Sequence, residues 1–151
     1  MKISRPIAAV VSLLAAIPLF GAGNGLKGDY FANTGMIGSP VASRTDATVN
    51  FNWSGAPVAG ISSNYFSVRW SGKVEAPVTG AYKLATYSNE GVRVWLSGTL
   101  IIDHWNAHSL ERDAANPVNL TAGQKYDLKI EFYDRSGAAN RPAALELPWA
   151  G

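Results

Sequence analysis

His104, Trp105, Asn106 and His108 place two imidazoles, an indole and an amide within one short stretch. Imidazoles four residues apart meet one zinc ion when they share a helix face. Here no Glu adjoins His104 and no helical periodicity surrounds the pair, so the spacing alone does not make a zinc site. The same stretch suits sugar recognition better, because a sugar needs an aromatic platform for its apolar face and polar groups for its hydroxyls. Trp105, Asn106 and His108 are therefore a candidate binding rim, with the loop through Arg112 and Asp113 placed to close over a ligand. The plainer reading packs Trp105 into the core and makes Asp103 a turn cap.

Catalytic parts are missing. There is no Gly-x-Ser-x-Gly elbow, no phosphate-binding Gly-rich loop with Lys and no cysteine nucleophile. Asp103, Glu111 and Asp113 read more simply as solvated loop charges than as a glycosidase pair, since such pairs are defined only by the fold. The expectation is a protein that is not an enzyme. The sequons at Asn52 and Asn119 matter only in a glycosylating host.

Residues 1–23 have the layout of a secretory signal: Lys2 and Arg5, an apolar run from Ile7 to Phe20 broken by Ser12 and Pro18, then Gly21, Ala22 and Gly23. A membrane-spanning helix needs roughly 20 apolar residues, and this run is shorter and holds a proline, so no stable membrane insertion is expected. The predicted location is secreted, extracellular or periplasmic. Without Lys2 and Arg5 the chain has 11 basic against 11 acidic residues, so the pI near 9.0 gives no electrostatic reason to expect nucleic acid. With no cysteine, no disulfide can staple the mature chain, which must rely on its core, helped or not by a metal ion.

These residues need elements to position them, and the apolar pattern supplies strands. Phe66, Val68, Trp70 and Val74 fall on one parity, as do Tyr126, Leu128, Ile130 and Phe132, and again Ala143, Leu145, Leu147 and Trp149. Period-two alternation of this kind marks half-buried strands. Ser97-Gly98 separates Val92, Val94 and Leu96 from Leu100, Ile101 and Ile102, a two-residue hairpin signal. Trp95 lies opposite in parity to Val94 and Leu96 and is expected exposed or on a second face. Close-set turn signals and the absence of sustained helical periodicity predict an all-β antiparallel sandwich or barrel, jelly-roll-like, with short peripheral helices at most. Residues 24–151 form one domain in this reading.

The ordered set of blocks resembles the protective-antigen fourteen-kilodalton domain. It comprises Gly25–Phe31, Arg44–Trp53, Phe66–Gly72, Gly80–Leu84, Gly91–Leu96, Ile101–Trp105, Leu120–Gln124 and Lys129–Tyr133, within a span from Gly25 to Trp149. The resemblance implies a β-sandwich module that binds carbohydrate, or a partner protein, and performs no chemistry itself. In the yeast adhesins of this family a calcium ion, held by two consecutive aspartates and a later loop, meets the sugar. The aspartate pair falls here on Asn89 and Glu90, and the later loop on residues 134–141, with Asp134 and Asn140 as oxygen donors and Arg135 and Arg141 as opposing charges.

Asn89, Glu90, Asp134 and Asn140 are thus the implied metal set, with calcium as candidate cofactor, and Trp105, Asn106 and His108 join them as ligand-binding residues. One negative charge replaces two at the consecutive pair, which lowers the expected affinity. The plainer reading of Asn89-Glu90-Gly91 is a tight turn. The functional expectation is a lectin-like, adhesion-type carbohydrate-binding module. Its alternatives are an interaction or assembly module of a cell-envelope or toxin-like complex, and the N-terminal binding domain of a larger secreted glycoside hydrolase.

Overall fold

The computed structural model describes residues 23–135 and, for the backbone alone, 143–145. Most of the predicted signal segment lies outside them, as do Asn140, Arg141, Leu147 and Trp149. The described residues form twelve strands and no helix. They are β1 (Leu26–Phe31), β2 (Ala42–Asp46), β3 (Phe51–Trp53), β4 (Phe66–Glu75), β5 (Gly80–Tyr82), β6 (Ala85–Ser88), β7 (Val92–Leu96), β8 (Thr99–His104), β9 (Glu111–Ala114), β10 (Val118–Leu120), β11 (Lys125–Asp134) and β12 (Ala143–Leu145).

One layer is a six-stranded antiparallel sheet in the order β2-β1-β4-β11-β7-β8. Its spine is the pairing of β4 with β11, which runs in register from Glu75 opposite Lys125 to Phe66 opposite Asp134. Facing it are the antiparallel pairs β3-β12, β6-β9 and β5-β10, with β12 running close to β6. The fold is the expected all-β antiparallel sandwich.

The alternating residues meet between the layers. Phe66, Val68, Trp70 and Val74 of β4 are buried with Leu128, Ile130 and Phe132 of β11 and Val92, Val94 and Leu96 of β7. From the opposite side come Tyr82, Leu84, Ala115 and Leu120, while Phe51 and Trp53 stack on Trp70 at 5.7 Å and 6.4 Å. Each large side chain buried this way contributes about 1.5–3 kcal/mol. Ser97 and Gly98 both have positive φ, the backbone of the predicted two-residue hairpin between β7 and β8. Trp95 lies on the outer face, partly exposed, with Lys129 Nζ 3.8 Å from its ring centre.

Three sequence expectations need correction. Strict alternation fails at the end of β11, where Glu131 and Tyr133 are buried along with Phe132 and Asp134. Arg69 pairs with Glu131 at 2.9 Å and Trp105 packs on Tyr133, so the outer side of the strand is covered there. Asp103, Glu111 and Asp113 are not loop charges: Asp103 lies in β8, bonded to Arg93 at 2.8 Å, and the other two lie in β9. The stretch through Arg112 and Asp113 is a paired strand against β6, which removes it as a closing loop.

Candidate functional site

Four strand ends converge at one end of the large sheet. Phe66 opens β4 opposite Asp134, the last residue of β11, and Val92 opens β7 opposite both Phe132 and His104. This brings the connection at residues 89–91 beside the end of β11, a pairing of positions more than forty residues apart. Tyr133 N–H donates to the Gly91 carbonyl at 3.0 Å and closes the approach.

Asn89, Glu90 and Asp134 are all buried, 4–5% exposed. The tight-turn reading of Asn89-Glu90-Gly91 therefore gives way to a buried connection packed under Tyr133. Asn89 Oδ1 and Glu90 Oε2 have no hydrogen-bond partner. Burial pushes the Glu90 carboxyl above its ordinary value, and the nearby Asp134 pushes it further; a hydrogen bond from the Arg135 backbone and the charges of His108 and Arg135 only partly offset this. An orphaned carboxylate oxygen and an orphaned amide oxygen, beside a second carboxylate, can satisfy a hard cation that accepts both donor types. Such an ion would also relieve the repulsion between Glu90 and Asp134. Arg135, expected to oppose a cation, carries its guanidinium 5.2 Å from the Tyr133 ring centre.

Trp105 follows β8 at the same end. It meets Tyr133 edge to face at 4.8 Å and carries the Arg93 guanidinium 4.6 Å from its ring centre. It is half-buried on the outer side of the large sheet, so the expectation of an inner core position is corrected. Asn106 is exposed, and His108 donates its backbone N–H to the Asn89 carbonyl at 3.4 Å, tying the rim to the Asn89 connection. Of the predicted residues, Asn89, Glu90, Asp134, Trp105 and His108 are thus brought together, and Asn140 lies outside the described residues.

Sequence reasoning missed Tyr65. It directly precedes β4, next to the position paired with Asp134, has φ +58° and is 61% exposed. A bulky residue in the left-handed region is uncommon and concentrates at functional positions. No sequence signal marks it, because Asn64-Tyr65 reads as an ordinary strand entry.

Residues 23–151 match the family model of the PA14 domain. The chain is 36% identical over 128 residues to the anti-sigma-I factor RsgI3 of Acetivibrio thermocellus, covering 84% of this chain and 19% of that protein. A solved anti-sigma factor domain-containing protein is 35% identical, with a TM-score of 0.77 over 85% of this chain and 43% of its own. The chain thus spans less than half the length of these two relatives. A PA14 sugar-binding domain from an RTX adhesin shares the fold at 16% identity, with a TM-score of 0.64 over 81% of this chain and 86% of its own.

Proposed function

Because this chain belongs to the PA14 domain family, we propose that it is a non-catalytic carbohydrate-binding module acting outside the cytoplasm, with calcium held by Asn89, Glu90 and Asp134. The observation that carries this reading is the pair of buried, partnerless oxygens on Asn89 and Glu90 next to Asp134. Bound calcium would supply a fixed positive charge to which sugar hydroxyl oxygens can add as further ligands. Around it, Tyr65, Asp134, Glu90 and Trp105 follow one another along adjacent strand ends, β4 to β8. At about 4.8 Å per strand, that rim is about 14 Å across, which suits a short run of sugar units. Tyr65 offers its most open aromatic face, Trp105 an edge and Asn106 a polar contact.

The likeness to anti-sigma factors, over a minor part of their length, supports placing such a module in a longer regulatory chain as its ligand-binding part. Among the described residues no helix is long and apolar enough to cross a membrane.

The test is calorimetric titration of the chelator-treated protein with calcium, beside a glycan array read with and without the ion. Saturable heat that disappears in Glu90→Ala, and glycan signals that fall without calcium, are the expected results. No heat at millimolar ion removes calcium from the reading, and an empty array removes carbohydrate.

A further inference from the structure

Beyond the calcium reading, the fold assembles a second group of metal donors that the sequence keeps apart. His104 ends β8, His108 lies in the following connection, and Glu111 and Asp113 stand on β9. Residues two apart on a strand share a face, so both β9 carboxylates point the same way. The chain reversal between β8 and β9 lays the two histidines against them. One donor atom from each of the four lies within 4.8 Å of the other three. His104 Nδ1 is 2.9 Å from Asp113 Oδ2 and 3.3 Å from Glu111 Oε1, and His108 Nδ1 is 3.6 Å from that same Glu111 oxygen. Ligands at about 2.0–2.1 Å from a tetrahedral ion are about 3.3 Å from one another, so the two His104 separations lie close to the edge of a zinc coordination polyhedron, while His108 would have to offer its other nitrogen, Nε2.

Two further observations point to a ligand. The His108 side chain is 8% exposed, yet its Nε2 is buried without a hydrogen-bond partner, while Nδ1 lies 2.7 Å from the Ser109 carbonyl. A backbone carbonyl holding one imidazole nitrogen is the usual outer support of a metal-bound histidine, leaving the other nitrogen's lone pair available. Directly across from Asp113, on the same face, Thr86 carries a buried hydroxyl that also lacks a partner.

We propose that His104, His108, Glu111 and Asp113 form a binding site for a divalent d-block cation of the zinc class, sharing no ligand with the Asn89, Glu90 and Asp134 group that His108 adjoins. The two imidazoles are borderline donors that favour zinc over calcium, which takes oxygens almost exclusively, and zinc accepts the two carboxylates as well. The two rings now lie face to face, 3.8 Å apart. Both lone pairs reach one ion in plane only after one ring turns about its side-chain bonds, and that turn is the predicted response to the metal. The ion would pin the connection carrying Trp105 and Asn106 onto β9, stapling the proposed rim in a chain without disulfides.

The experiment titrates the chelator-treated full chain with Zn2+ alone by calorimetry, and with Co2+ by visible absorption, where tetrahedral nitrogen and oxygen ligation gives intense bands. One equivalent of Zn2+ at micromolar affinity, a rise in melting temperature with the ion, and a tetrahedral Co2+ spectrum are expected. His104→Ala and the near-isosteric Asp113→Asn should each weaken zinc binding by more than about tenfold, the loss that even an outer-shell change can cause. Millimolar calcium should not compete for the zinc. Absence of stoichiometric zinc binding to folded protein, or binding that survives both His104→Ala and Asp113→Asn, overturns the proposal. If His104→Ala does not fold, Asp113→Asn with a strand-type circular-dichroism spectrum decides between the two outcomes alone. Failure of the calcium titration has no bearing on this outcome.

Discussion

Tyr133 fills the space that any side chain at position 91 would need: a Cβ on Gly91 would lie 2.0 Å from Tyr133 Cε1. No unusual backbone angle is involved, so glycine is required here by close approach alone. That approach is what brings Glu90 beside Asp134. Gly91→Ala must push the Tyr133 ring aside, at a cost of about 1–3 kcal/mol as overpacking. Urea unfolding should show the lower midpoint, and calcium titration of the same variant should show weaker binding because the two carboxylates are moved apart.

Asp46 anchors the opposite side of the core. Its Oδ2 accepts from the Tyr30 hydroxyl at 2.6 Å and from Trp70 Nε1 at 2.7 Å, and Oδ1 accepts from Arg44 Nε at 2.6 Å. Burial, then the Asp46 charge, holds the Tyr30 hydroxyl protonated far above its ordinary range, so it remains a donor. Asp46→Ala leaves a buried indole N–H and a buried hydroxyl without their acceptor and should cost about 3–5 kcal/mol. Thermal melting of this variant against Arg44→Ala is the check; the more exposed Arg44 should matter less.

Glu90 gives stability a pH dependence of predictable sign. Burial first, and then the like charge of Asp134, raise its folded-state value above 4.5, against the opposing His108 and Arg135. The folded protein therefore holds this proton more tightly than the unfolded chain. As pH rises through 4.5 the unfolded chain ionises first and stability falls, until the folded value is passed and the penalty becomes constant. Glu90→Gln should remove this slope and raise stability at neutral pH without metal. Urea midpoints for both proteins across the acid range should diverge upward from 4.5; parallel curves contradict the assignment.

Tyr65 separates binding from stability. Replacing it with glycine relieves a left-handed backbone that costs a bulky residue about 1–2 kcal/mol. Part of that gain is offset by added freedom of the unfolded chain. Tyr65→Gly should melt at or above the parent temperature while losing affinity on the glycan array. Unchanged glycan binding would remove Tyr65 from the rim.

Strand identity and facing were legible in the sequence because alternation is a local property. Phe66, Val68 and Trp70, and again Leu128, Ile130 and Phe132, face inward as their parity demands, and Ser97-Gly98 turns where its composition requires. Only the tertiary structure decided which strand ends meet. β4, β11 and β7 lie side by side although long stretches of chain separate them, and that order places Glu90 on one side of Asp134 and Tyr65 on the other. It also buried Glu131 and Tyr133 against their parity, since the cover over them comes from Arg69 on β4 and from Trp105 just after β8. His104 and His108 carried no convincing signal in the sequence because their partners, Glu111 and Asp113, arrive by chain reversal and not by helical spacing. Periodicity reports which face of a strand is apolar; register between distant strands depends on packing that no local window contains.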